Sequence, residues 1–179
     1  YEADLYIDCT GFRGRLINEA MQVPFTDWSE FLLCDKAVAL SFEKKSEMNP
    51  NTNAIALEAG WSWQIPLSDR LGCGYVYSSK HKNETEAVDE LMLLMRDEHA
   101  LSDEPKKLTM PVGHRNQFWN KNCLSLGLAA GFLEPLESTG IHFIQFGLET
   151  FMDYFPDRKF DTSLINAYNA KMTSTYEES

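Results

Sequence analysis

The residues best suited to do chemistry lie in one stretch, Glu134-Pro135-Leu136-Glu137-Ser138-Thr139-Gly140-Ile141-His142. Two carboxylates sit three residues apart beside what reads as the start of a helix. At such a start the amides of Ser138, Thr139 and Gly140 are expected to be unpaired donors, and the positive end of the helix dipole adds to them. That is an anion site. Ser138 or Thr139 fits equally well as a plain N-cap. A carboxylate beside an anion site is harder to explain, because two negative charges repel. A glutamate so placed is expected to be raised in pKa and to hold or pass a proton.

Three other constellations carry weaker signals. Asp8-Cys9-Thr10-Gly11 reads as a strand ending in a glycine turn, which lets backbone approach a bulky cofactor and also suits an ordinary turn. Leu126-Gly127-Leu128-Ala129-Ala130-Gly131 is a strand entering a small-residue turn, open to the same two readings. Trp61 and Trp63 share one face of a strand, where they either pack a core or wall an aromatic pocket.

The elements that must position these groups follow from periodicity. Asp4 to Cys9 alternates as a strand, and residues 14–22 read as a short helix. Ala37 to Phe42 is β-like, and Glu43 to Asn53 reads as an exposed loop. Trp61, Trp63, Ile65 and Leu67 form one face of a strand, with Ser62 and Gln64 on the other. Gly74 to Ser78 returns as its hairpin partner, and Pro66 marks an edge or a strand end. Asn83 with Glu86 is a capping-box pair before an apolar stripe of Val88, Leu91, Met92 and Met95. Asn122 to Leu128 reads as a buried strand. Ile141, Ile144, Leu148, Phe151 and Phe155 then follow a helical period that Pro156 stops. The mixture is α/β or α+β.

The chain has 179 residues, 44% hydrophobic and 24% charged, within the range of a globular protein. A net charge of -11 repels a phosphate backbone and argues against nucleic acid as a partner. No apolar run is long enough for a membrane span. Cys9, Cys34, Cys73 and Cys123 are too widely spaced for structural zinc or a disulfide framework, so no metal site and reduced thiols in the cytoplasm are expected. The opening at Tyr1 and a polar run from Thr173 to Ser179 with no closing element read as an internal portion of a longer single domain.

Taken together, the segments resemble one family. Gly60-Trp61-Ser62-Trp63-Gln64-Ile65-Pro66 is similar to the GWxWxIP signature of flavin-dependent halogenases. Asp4 to Gly14 (DLYIDCTGFRG) and Asn122 to Gln145 (NCLSLGLAAGFLEPLESTGIHFIQ) look like two further blocks of that family, most similar to its tryptophan halogenases. The resemblance runs from Asp4 to about Pro156 and implies part of a flavin-monooxygenase-like fold, with the FAD-binding and substrate regions incomplete. The family's GxGxxG motif and catalytic lysine have no counterpart in this stretch, and Lys36, Lys44 and Lys45 fall outside the lysine motif.

The resemblance implies a reaction. Reduced FAD from a separate flavin reductase reacts with oxygen to give a flavin hydroperoxide, and chloride or bromide attacks it to form hypohalous acid. That oxidant travels to an aromatic substrate, tryptophan first. Glu137 matches the catalytic glutamate, and the amides of Thr139 and Gly140 match the halide site. Trp61, Trp63, Ile65 and Pro66 match the signature that separates substrate from flavin. Gly11, Gly127 and Ala130 fall in segments bordering FAD, although Leu128 cannot bond a ribityl hydroxyl. A homodimer and a role in antibiotic biosynthesis fit the family. Residues 1–179 alone are expected neither to bind FAD tightly nor to turn over. Other readings are halogenation of a pyrrole, a phenol or a carrier-bound substrate, hydroxylation without halide, and a non-enzymatic remnant. Both tryptophans and Glu137 weigh against hydroxylation.

Overall fold

A computed structural model describes residues 2–44, 50–101 and 104–178, with the side chain of Glu137 excepted. In chain order the elements are β1 (Tyr6–Asp8), β2 (Phe25–Asp27), β3 (Lys36–Glu43), β4 (Asn53–Leu57), β5 (Gly60–Pro66) and β6 (Arg70–Tyr77). Then come α1 (Glu84–Leu94), β7 (Lys106–Thr109), β8 (Gly113–Arg115), β9 (Trp119–Asn120), β10 (Cys123–Ser125) and β11 (Gly131–Phe132). Two long helices follow, α2 (Gly140–Asp153) and α3 (Thr162–Glu177). The mixed helix and sheet content agrees with the expected class. The chain divides into two compact units. One comprises Tyr1–Trp28 with Pro111–Ser179, and the other is the continuous stretch Ser29–Met110.

The continuous unit is a five-stranded antiparallel sheet in the order β4-β5-β6-β3-β7. One face is covered by α1. Val38, Leu40 and Phe42 from β3 and Cys73, Tyr75 and Tyr77 from β6 pack against Ala87, Leu91 and Met95. The Asn83 side chain accepts from the Glu86 amide and the Glu86 carboxylate accepts from the Asn83 amide, so the capping box forms as read. The buried stripe of α1 differs from the expected one. Met92 is exposed and Ala87 takes its place, because the helix turns its smallest side chain to the sheet. The β5–β6 hairpin also forms. β5 lies inside the sheet between β4 and β6, so Pro66 marks a strand end and not an edge; β4 stops at its pairing with Gln64 and leaves Pro66 no ladder bond to supply. Glu43 and Asn53 themselves belong to β3 and β4, and residues 45–49 of the expected loop lie outside the described residues.

The other unit holds two three-stranded sheets, β1-β10-β9 and β11-β8-β2, with α2 and α3. β1 runs parallel to β10, pairing Tyr6 with Cys123 and Asp8 with Ser125. The segment expected as a short helix is a π-helix, Arg15–Ala20, with Ile17 buried. The polar tail holds a closing element after all: α3 runs through it to Glu177. It is fixed by packing, with Tyr168, Met172 and Tyr176 buried. Asn169 is the polar counterpart. Its side chain accepts from the Trp119 amide and donates to the Trp119 carbonyl, each at 2.8 Å, and so pairs with β9 as a neighbouring strand would. Among the described residues no helix is long and apolar enough to cross a membrane.

Candidate active site

Two parallel neighbours, β1 and β10, end side by side and each runs directly into a glycine turn. After β1 comes the 3-10 turn Gly11–Arg13, and after β10 the 3-10 turn Gly127–Ala129. Gly11 has φ 70° and Gly127 φ 59°, the left-handed region that favours glycine. The carboxyl ends of neighbouring parallel strands are where α/β sheets receive ligands, in the crevice between the turns that follow them. A Cβ added to Gly11 would meet nothing within 4 Å, so the first turn borders open space, which suits a broad flat group. Leu128 is partly exposed and brings no polar atom to the rim.

Asp8, the last residue of β1, is fully buried beneath the first turn. Its Oδ1 accepts from the Thr10 amide (2.9 Å) and the Thr10 hydroxyl (2.6 Å). Its Oδ2 accepts from the Leu16 and Ile17 amides, both at 2.8 Å. Burial pushes this carboxyl up. The hydrogen bonds from Thr10, Ile17 and Leu16 outweigh it and hold the group below the usual aspartate range, so it is charged at neutral pH. Arg115 is also buried. It donates to the Asn18 side-chain oxygen (3.0 Å), the Val23 carbonyl (3.2 Å) and, at 3.5 Å, the Ala129 carbonyl. Burial lowers its pKa, and the charge of Asp8 acts the other way.

The anion-site segment folds as a 3-10 turn, Pro135–Glu137, followed by Ser138 at φ 56° and then α2. The sequence led us to expect a free Ser138 amide; instead the tight turn directs it to the Pro135 carbonyl at 3.0 Å. Thr139 is the N-cap of α2 without a side-chain cap bond, and Gly140 opens the helix. Their amides are those that a helix start leaves without an intrahelical acceptor. A Cβ on Gly140 would also meet open space. The backbone of Glu137 sits one residue before this junction, and its side chain lies outside the described residues.

A cavity of about 70 Å³ joins the two places. Gly127 and Leu128 line it from the second glycine turn, Gly140, Phe143 and Ile144 from α2, and Tyr176 from α3. It is large enough for a halide or a water and too small for a ring. Ala130 is buried at the base of the second turn, its amide on the Gly127 carbonyl and its carbonyl taken by the Arg115 amide.

The other unit holds the tryptophan hairpin. Ser62 and Gln64 face the core, where Ser62 meets the Cys73 sulfur (3.6 Å) and Gln64 donates to the Met95 sulfur (3.2 Å). Trp61 and Trp63 therefore lie half-buried on the face away from α1, ring centroids 6.3 Å apart and edge to face. The Trp63 indole comes close against Gly74, where an added Cβ would come within 2.2 Å of the ring and 2.7 Å of the Val38 carbonyl. Ile65 and Leu67 continue the same face as partly exposed side chains. A cavity of about 340 Å³ lies there, walled by Trp63, Ile65 and Leu67, floored by Ala39 and Gly72, and rimmed by Arg70 and Lys106.

Comparison with known proteins decides the family. The tryptophan halogenase family profile matches residues 1–179. The chain belongs to the tryptophan halogenase family. Among its relatives, tryptophan 6-halogenase ThaL of Streptomyces albogriseolus is 40% identical, with 99% of this chain and 34% of ThaL covered. Tryptophan 7-halogenase RebH of Lentzea aerocolonigenes is also 40% identical, covering 99% and 34%. Among solved structures, the flavin-dependent halogenase BrvH from Brevundimonas sp. BAL3 superposes with a TM-score of 0.91 at 42% identity, over 98% of this chain and 36% of BrvH. The tryptophan 6-halogenase SttH from Streptomyces toxytricini gives 0.92 at 40%, over 99% and 35%. The chain thus spans about a third of the length of the relatives it matches.

For this tryptophan halogenase family member, the structure brings Gly11, Gly127, Ala130, Thr139 and Gly140 into one unit, and Trp61, Trp63, Ile65 and Pro66 into the other. Sequence reasoning placed Asp8 in a glycine-turn motif without giving its side chain a role, and it passed over Arg115 and Tyr176. Asp8 was legible: an aspartate two residues before a threonine, at a strand end, is the signature of a local side-chain turn. Arg115 and Tyr176 carry no local signal, because their partners are distant in the chain.

Proposed function

We propose that the polypeptide carrying this chain is a flavin-dependent halogenase that acts on tryptophan. The observation that supports the reading is the cavity of about 70 Å³ lined both by Gly127 of the second glycine turn and by Gly140 at the start of α2, a space of halide size. Bound reduced FAD supplies the oxygen activation by which chloride or bromide becomes an electrophile. The chain's own residues do the rest. The backbones at Gly11, Gly127 and Ala130 let the cofactor approach closely, and the Thr139 and Gly140 amides hold the halide. The Glu137 carboxylate polarises the halogen donor or takes the proton that leaves the ring. Trp61 and Trp63, in the segment closed by Ile65 and Pro66, keep the substrate away from the flavin. Both units are parts of one halogenase domain, working in the cytoplasm with a flavin reductase.

The 6- and 7-halogenase relatives support tryptophan as substrate. The likeness to BrvH, a flavin-dependent halogenase, extends to the family and not to one substrate, so halogenation of another aromatic is the second reading. The test uses the full-length polypeptide with a flavin reductase, NADH, FAD, oxygen and tryptophan, with and without chloride or bromide. Mass spectrometry is expected to show a halide-dependent monohalogenated tryptophan. Product only from other aromatics moves the substrate, and oxygen insertion without halide overturns the reading. Glu137→Gln is expected to cut halogenation by about 100-fold while flavin oxidation continues. Unchanged halogenation removes Glu137 from the mechanism.

A further inference from the structure

We propose that Asp8 is a positioning residue for the flavin: its carboxylate fixes the Thr10–Gly11 turn in the shape that receives the cofactor. This rests on the flavin reading above. The carboxylate accepts four hydrogen bonds, two on each oxygen, so no lone pair remains for a ligand. It therefore acts through the turn and not by contact. Between its two sets of partners lies the segment that contains Gly11 and Gly14, both left-handed (φ 70° and 56°). One side chain thus clamps the entry and the exit of the segment with the most unusual backbone near the rim. The Thr10 hydroxyl completes the clamp by accepting from the Arg15 amide at 2.7 Å.

The second glycine turn is tied to the same device. Arg115 reaches from the Asn18 side chain, just past the Asp8 partners, to the Ala129 carbonyl in the second turn. A negative and a positive buried side chain together set the spacing of the two turns. A merely structural aspartate would stabilise the fold without caring where Gly11 points. Here every hydrogen bond of the Asp8 carboxylate ends on a residue of the turn or of the π-helix it feeds.

Asp8→Asn keeps the size and fails the geometry. It offers one oxygen for two donor pairs and turns its amide NH2, itself a donor, against the other pair. Thr10→Val is milder, removing the hydroxyl and leaving the carboxylate. In the full-length polypeptide, FAD affinity is measured by flavin fluorescence titration, and the visible circular dichroism of bound FAD is recorded at saturation. Far-ultraviolet circular dichroism checks folding. Folded Asp8→Asn is expected to raise the FAD Kd by about tenfold or more and to alter the flavin dichroism, while the tryptophan Kd stays as in the wild type. Thr10→Val is expected to raise the FAD Kd by about threefold to tenfold. A folded Asp8→Asn protein with the wild-type FAD Kd and dichroism overturns the proposal. If Asp8→Asn does not fold, a wild-type FAD Kd in Thr10→Val overturns it instead. Wild-type protein that binds no FAD overturns the flavin reading itself, whereas wild-type binding with unchanged variants overturns only the role of Asp8.

Discussion

At the residue scale, the contact between Trp63 and Gly74 shows how much a missing side chain decides. The alternation of Trp61, Trp63, Ile65 and Leu67 was readable from sequence, but which face met the core was not. Apolar side chains line both faces of β6, and the small polar Ser62 is the buried member of β5. Glycine at 74 leaves a flat place on β6 on which the indole rests. Gly74→Ala puts a methyl group where both Trp63 and the Val38 carbonyl stand. The backbone carbonyl cannot move without disturbing the β3–β6 pairing. The variant is expected to lose about 1–3 kcal/mol in urea unfolding, as overpacking does. An unchanged midpoint would contradict the close approach.

At the element scale, α1 and α3 were unequally legible. α1 announces itself with a capping box and an apolar stripe, both local signals. The C-terminal half of α3, Asn169-Ala170-Lys171-Met172-Thr173-Ser174-Thr175, is polar and rich in β-branched and short side chains. Its helicity comes from tertiary packing, which composition does not display. Asn169 is the clearest instance, since it is a helix residue that completes a strand. Asn169→Leu fills similar space and leaves the Trp119 amide and carbonyl buried without partners. The expected cost is about 2–4 kcal/mol in chemical denaturation, at the level of unmade buried hydrogen bonds. A loss below about 1 kcal/mol would mean that water or a neighbouring group reaches Trp119. The glycine turns at the candidate site were legible for the same reason as α1, because each is a short run of residue types. Their adjacency was not, because parallel pairing of β1 with β10 joins segments from the two ends of the chain.

At the scale of the whole molecule, family membership and mixed class were readable from a few dense motifs, while the division into two units was not. Nothing in the composition changes at Trp28 or at Met110. The division shapes how the chain reaches its native state. Ser29–Met110 is unbroken in sequence and wholly antiparallel, and near its two ends Lys36 lies opposite Thr109. It is therefore expected to fold first, as a long insert whose closure draws Trp28 and Pro111 together. Only then does β1 meet β10 across a short effective loop, a saving in closure entropy of about 1 kcal/mol. Pulse-labelled hydrogen exchange during refolding is expected to protect the amides of β3 and β6 before those of β1 and β10. The reverse order would show that the parallel pair nucleates by itself. On the expected order, the rim on which the candidate chemistry depends is the late part of the chain's history, completed after the insert that carries the tryptophans has closed.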